Sequence, residues 1–294
     1  MKSKIAIAIL LFLLPLSVLQ AQNALFWDGI EAFDGPTDDN PVLASQLDFY
    51  FDKMVAPLPD SITLEITRLI DRTSGNTDLR DFILWHLLEK YRNPEYMGQD
   101  QVFVWLYDEY FSQLEIKDLH ETNLAMIQEK AERLRRLALF NVAPDIRIGD
   151  SINLHAVESE YIVLFFFDSG CDVCIQDKKE LDSVCASHPE ITVVAIDLGS
   201  EEARVNNVFE LYDIVSKPLI YVLNRDKRII AKKIQMKQIP IVLQIVELRP
   251  HHVTSRNYQL SIINFIASNF ASASSNNRHC ARERTMLWSG YLIL

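Results

Sequence analysis

The chain has 294 residues, 49% of them hydrophobic and 23% charged, enough for one large domain or two ordinary ones, with most of the chain expected to fold. A formal net charge of −11 argues against a nucleic-acid binder, which would need clustered Lys and Arg to neutralise phosphates. Four cysteines are too few to staple a chain of this length, so a specific task for one close pair is the better expectation.

Residues 1–21 read as a secretory signal peptide: Lys2 and Lys4, then an apolar run from Ile5 to Leu19, then Ala21 at a cleavage point. The run is short for a membrane span and Pro15 interrupts it, so no stable membrane insertion is expected after cleavage. No cysteine lies near the cleavage point to carry a lipid. The mature protein is therefore expected to be exported, in bacterial terms to the periplasm, where disulfides form and persist.

Residues 24–141 read as an all-α N-terminal domain. In "TDLRDFILWHLLEKYRN", Leu79, Phe82, Ile83, Leu87 and Tyr91 fall on one stripe, with Asn76 or Thr77 as cap and Pro94 beyond the end. "DQVFVWLYDEYFSQL" places Val102, Trp105, Leu106 and Tyr110 at helical spacing, and "NLAMIQEKAERLRRLA" does the same with Leu124, Ile127, Ala131, Leu134 and Ala138. Aromatic stripes of this kind are usually core rather than ligand grooves. His86 and His120 have no partner at metal-ligand spacing and read as ordinary structural histidines.

The pattern changes at "NVAPDIRIGDSINL", where Pro144 ends the helical run and Gly149-Asp150 sits between two short alternating stretches, as in a hairpin. "YIVLFFFD", Tyr161 to Asp168, is apolar on both faces, the mark of a central strand covered on both sides. A helix follows with Cys174, Leu181 and Cys185 along one side, then the strand Ile191 to Asp197, then a helix or helical turn in "SEEARVNNVFELYDI". "KPLIYVLN" and "RIIAKKI" are two strands joined at Asn224–Lys227, and a last helical stretch runs from about Met236 to Leu248. This order, over 142–248, specifies an α/β domain: a central sheet with helices on both faces.

Residues 249–294 do not match the rest. They carry five Arg, no Lys and one acid, Glu283, and "ASASSNN" is linker-like. "RHCARER" could be a basic docking element with Cys280 as partner thiol; the preferred expectation is a disordered extension of doubtful authenticity.

Cys171 and Cys174 stand two residues apart where the central strand gives way to a helix. At a helix N-terminus, unpaired backbone N–H groups favour a nucleophilic thiolate on Cys171. Cys174, one turn deeper on the same side, could attack a mixed disulfide on Cys171 and release the reduced substrate. Half of a zinc site is the weaker alternative, because His251-His252 and His279-Cys280 are only adjacent pairs in the tail, and no metal is expected. A structural disulfide remains open, because an oxidising compartment would join any close pair.

With "APDI", "YIVLFFFDSGCDVC" and "YDIVSKPLIYVLNRDKRIIAKKI", the chain resembles the TlpA/ResA-like branch of the thioredoxin superfamily over roughly Val142 to Leu248. The resemblance implies a thioredoxin-like fold and thiol–disulfide exchange on protein thiols and disulfides, with an unidentified electron donor and no bound cofactor. It implies that Pro218 is cis and shapes the substrate groove, and that Lys217 presents its backbone to substrate; an ordinary trans proline opening a strand is the alternative. Asp177, three residues after Cys174 where these proteins usually have Glu, would accept the proton of Cys174, or else is a solvated acid favoured by the helix dipole. There are departures: Gly170 replaces a common Trp, Asp172 and Val173 form the centre of the motif, and Phe165 replaces the buried acid of many thioredoxins. Asp172 beside Cys171 disfavours a thiolate there and leans the pair towards reductase or isomerase chemistry. Peroxiredoxin-type sites carry Thr or Ser three residues before the reactive cysteine, where this chain has Asp168. The rival from another class is a non-catalytic binding or scaffold protein that retains the fold with a structural disulfide.

Overall fold

The computed structural model describes residues 26–27, 40–73, 75–148 and 152–247. The expected signal peptide, the residues Gly149 and Asp150, and the tail lie outside the described residues. The chain packs as two compact units. Of the described residues, one holds those up to Ala56 and those of 61–87; the other holds Pro57–Asp60 and those from Leu88 onward.

The first unit is built from α1 (Pro41–Lys53), α2 (Pro59–Arg72, from Ser61) and the opening turns of α3 (Thr77–Arg92). Asn40 caps α1 by accepting the Leu43 N–H at 3.0 Å, and Asn76 accepts the Leu79 N–H at the start of α3. Leu43, Leu47, Ile62, Ile66, Ile83 and Leu87 are buried at helical spacing. His86 Nε2 lies 3.0 Å from Asp48 Oδ1, an ordinary structural pairing between helices.

In the second unit, α4 (Asp100–Leu106) widens into a π-helical turn over Tyr107–Phe111, and α5 (Glu121–Arg136) follows. Ile127, Ala131 and Leu134 form the buried stripe of α5. A short antiparallel pair, β1 (Arg147–Ile148) and β2 (Ile152–Asn153), leads to β3 (Tyr161–Phe167), α6 (Asp172–Ser187), β4 (Ile191–Asp197) and the short helices α7 (Glu201–Val205) and α8 (Val208–Leu211). β5 (Leu219–Asn224), β6 (Ile229–Lys232) and α9 (Ile239–Glu247) complete it. Asn207, with φ at 51°, splits the expected helix after β4 into α7 and α8, because a left-handed residue cannot continue a right-handed helix.

The sheet has the order β4-β3-β5-β6, with β3 and β4 parallel and the other pairs antiparallel. Tyr161 to Phe166 are all buried, so β3 is covered on both faces, which its continuous apolar sequence requires. The outer side of β6 is partly occupied: Phe140 N–H donates to the Ile229 carbonyl, Ile229 N–H to Asn141, and Ala143 N–H to Lys227. This connection blunts what would otherwise be an open sheet edge.

Two buried charge groups join the sheet to the helices before it. Lys232, 1% exposed, donates from Nζ to Asp100 Oδ2 at 2.5 Å and to the Leu137 carbonyl at 2.6 Å. Asp213, 2% exposed, accepts from Lys130 at 2.7 Å and Lys233 at 2.9 Å. Burial alone would raise the Asp213 carboxyl, but Lys233 and Lys130 hold it below the usual carboxylate range. Burial pushes the ammonium groups of Lys130 and Lys232 down.

Candidate active site

The site forms where β3 and β4 end, the edge at which open α/β sheets place their ligands. Leu198 N–H donates to the Phe167 carbonyl, keeping the two strand ends together. Asp197 Oδ1 accepts Gly199 N–H at 3.0 Å and Ser169 N–H at 3.4 Å, so one carboxylate pins the loop after each strand. These backbone donors hold the Asp197 carboxyl below its ordinary range.

Asp168 then turns the chain. Its Oδ1 accepts Gly170 N–H and its carbonyl accepts Cys171 N–H, both at 3.0 Å. This Asx-type turn delivers Cys171 to the N-cap position of α6 with an extended backbone, φ −105° and ψ 114°. The Cys171 carbonyl accepts the first helical N–H, from Ile175, while its sulfur accepts the Cys174 N–H at 3.3 Å. A sulfur in this place takes a donor that the helix cannot satisfy itself.

Both thiols are free in this structure, and their surroundings differ. Cys171 is half-exposed, while Cys174 is fully buried. Burial pushes the Cys174 thiol up, and the hydrogen bond it shares with Cys171 adds to this. The outer cysteine is therefore the more reachable of the two, and burial disfavours a thiolate on the inner one. Val173, 62% exposed, stands between them in sequence.

The register of β3 against β5 brings in the last part. Phe166 pairs with Leu219, the last pair of that ladder, and just beyond it the chain brings Lys217 alongside Asp168, the residue that follows β3. The Lys217–Pro218 peptide bond is cis, and Pro218 is half-buried. Lys217 Nζ lies 2.7 Å from Asp168 Oδ2. Lys217 and the Gly170 N–H hold the Asp168 carboxyl down, and Asp168 in turn holds the Lys217 ammonium up.

Of the residues expected at the site, the structure groups Cys171, Cys174, Lys217 and Pro218. Asp177 is half-buried on α6, one turn after Cys174, and makes no hydrogen bond or ion pair with the described residues. The carboxylate tied to the cysteine turn is Asp168, which residue spacing alone marks only as unlike the Thr or Ser of a peroxidase. Its signal is an acid two residues before Gly170, able to form an Asx turn. The side chain of Lys217 is likewise an addition, since the resemblance gives a role to its backbone alone. Among the described residues no cluster of three or more His, Cys, Asp or Glu could hold a metal ion.

The structure is similar to a thioredoxin-like protein from Bacteroides caccae ATCC 43185, with a TM-score of 0.58 at 17% identity, over 74% of this chain and 89% of that one. This chain has a thioredoxin-like fold. The match covers about twice the share that residues 142–248 make of the chain, so it takes in part of what precedes the thioredoxin-like sheet. Two further solved structures align at lower TM-scores: a domain of a possible thiol-disulfide isomerase from Cytophaga hutchinsonii ATCC 33406 and the thioredoxin domain of a thiol-disulfide oxidoreductase from Bacteroides vulgatus. The first is 29% identical, with a TM-score of 0.33, over 38% of this chain and 95% of that one. The second is 22% identical, with a TM-score of 0.32, over 37% and 96%. No protein-family model and no curated protein matches the sequence.

Proposed function

We propose that the chain is an exported thiol–disulfide exchange protein of the TlpA/ResA-like kind, acting on protein disulfides through Cys171 and Cys174. The observation that carries this is the division of the pair: a half-exposed cysteine at a helix N-cap and a fully buried one a turn behind it, whose thiol burial pushes up. The Cys171 thiolate attacks one sulfur of a substrate disulfide, forming a mixed disulfide and expelling the other substrate sulfur as thiolate. Cys174 then loses its proton and attacks Cys171 Sγ, expelling the second substrate thiolate and leaving Cys171–Cys174 oxidised. Two electrons have passed to the substrate, and an external dithiol donor restores the pair. Pro218 and the Lys217 backbone line the groove in which the substrate lies, and Asp177 is the proton acceptor for Cys174. The leaning to reductase or isomerase work rests on Asp172 beside the attacking sulfur. Among the described residues no helix is long and apolar enough to cross a membrane, and the leader-like residues 1–21 support export. The limits 24–141 and 142–248 belong to the same proposal as limits in sequence, not as pieces that fold separately.

The reduction potential of the pair tests it. Mature protein is equilibrated in graded thiol buffers, alkylated and weighed. A value between about −270 and −120 mV supports exchange catalysis, whereas one below about −300 mV marks a structural disulfide and favours a binding protein that has kept the fold.

A further inference from the structure

We propose that Lys217 and Asp168 are opposed positioning residues that set the redox balance of the dithiol, Lys217 favouring its reduced, charge-bearing form and Asp168 opposing it. The proposal rests on the exchange reading of this site and assigns it two side chains that the reading does not use.

The ion pair is not explained by stability. Both side chains are partly exposed, Lys217 at 43% and Asp168 at 35%, and exposed pairs add little to folding. Its place is what distinguishes it. Just past the last β3–β5 pair, the residue before Pro218 meets the residue that follows β3, and the 2.7 Å contact joins them. Asp168 is fixed at both ends of its reach: Oδ1 holds Gly170 N–H, and the carbonyl holds Cys171 N–H. The carboxylate is thus part of the cysteine turn, and its other oxygen meets the ammonium there. Lys217 is also drawn electrostatically to both sulfurs; at Cys174 the Asp168 backbone favours a charge while the Asp168 carboxylate, the part a side-chain change removes, opposes it.

A thiolate can form on the sulfurs only in the reduced state. With glutathione as reductant, the protein disulfide and two glutathione thiols give two protein thiols and glutathione disulfide, and wherever one of those thiols ionises it becomes a protein thiolate and one proton. A cation beside the sulfurs stabilises the product side and makes the pair a stronger oxidant. An anion does the reverse. With both present the effects largely cancel, so removing either one unmasks the other.

The test is the glutathione equilibrium of full-length mature protein, for wild type, Lys217→Met, Asp168→Asn, the double variant and Lys217→Arg. Lys217→Met should shift the equilibrium constant about tenfold towards the disulfide, and Asp168→Asn about tenfold towards the dithiol, each equivalent to about 30 mV. The double variant and Lys217→Arg should return to within about threefold of wild type, and raised salt should shrink both shifts. A purely structural role predicts no opposition of sign. Shifts in the same direction, or none, in a protein whose wild type equilibrates normally would overturn the proposal and leave the exchange reading standing. A wild type that stays oxidised in every buffer would overturn both.

Discussion

Cys171 and Cys174 are the same side chain in two different environments, and burial accounts for the difference. Because the Cys174 thiol is pushed up, its attack on a mixed disulfide should accelerate as pH rises past the ordinary thiol value of about 8.5. Quenched-flow decay of a Cys171–glutathione adduct would show this; a rate unchanged from neutral to alkaline pH would count against Cys174 as the resolving group. Cys174→Ser should accumulate that adduct, and Cys171→Ser should form none. Phe165 makes a different point. It fills a fully buried position of β3 and stacks on Phe167 at 5.5 Å with the rings nearly parallel, in place of the acid expected from many thioredoxins. Phe165→Ala should cost about 3–5 kcal/mol in urea unfolding, as large-to-small changes in a packed core do.

Elements differ in how much of them a sequence displays. The continuous apolar run of β3 and the stripes of α3 and α5 follow from side-chain period and are legible in the residues alone. Periodicity tells that a face is buried but not what covers it, so nothing in α4 or α5 announces that they pack in the same unit as the sheet. The Asp168–Lys217 pair is hidden for a related reason. The partners are 49 residues apart, and only the antiparallel pairing of β3 with β5 brings them alongside one another. The break at Asn207 escapes notice because the flanking residues suit a helix and a single left-handed residue does not show in a hydrophobic pattern. Asp213 shows what such hidden pairings are worth. Asp213→Asn leaves Lys130 and Lys233 without their buried counter-charge and should destabilise the protein by about 3–5 kcal/mol.

For the molecule as a whole, these carboxylates decide the response to acid. Asp213 is held below its unfolded value, as are the more exposed Asp168, Asp197 and Glu190. Their stabilising contribution is present above the ordinary carboxylate pKa of about 4 and is lost as pH falls through the lower folded values. Denaturant midpoints should therefore hold near neutrality and fall below about pH 4, and Asp213→Asn should flatten that fall. A piece spanning 142–248 lacks Asp100 and Leu137, the partners of the buried Lys232 ammonium, and Met97, whose sulfur accepts the Lys232 N–H. It should show no cooperative thermal transition, whereas 88–248 should retain one. In terms of inheritance, the cysteine-bearing sheet is not a free cassette: a crossover just ahead of it would strand a lysine in the interior. A recombined gene would need to carry the two preceding helices along to yield a protein that folds.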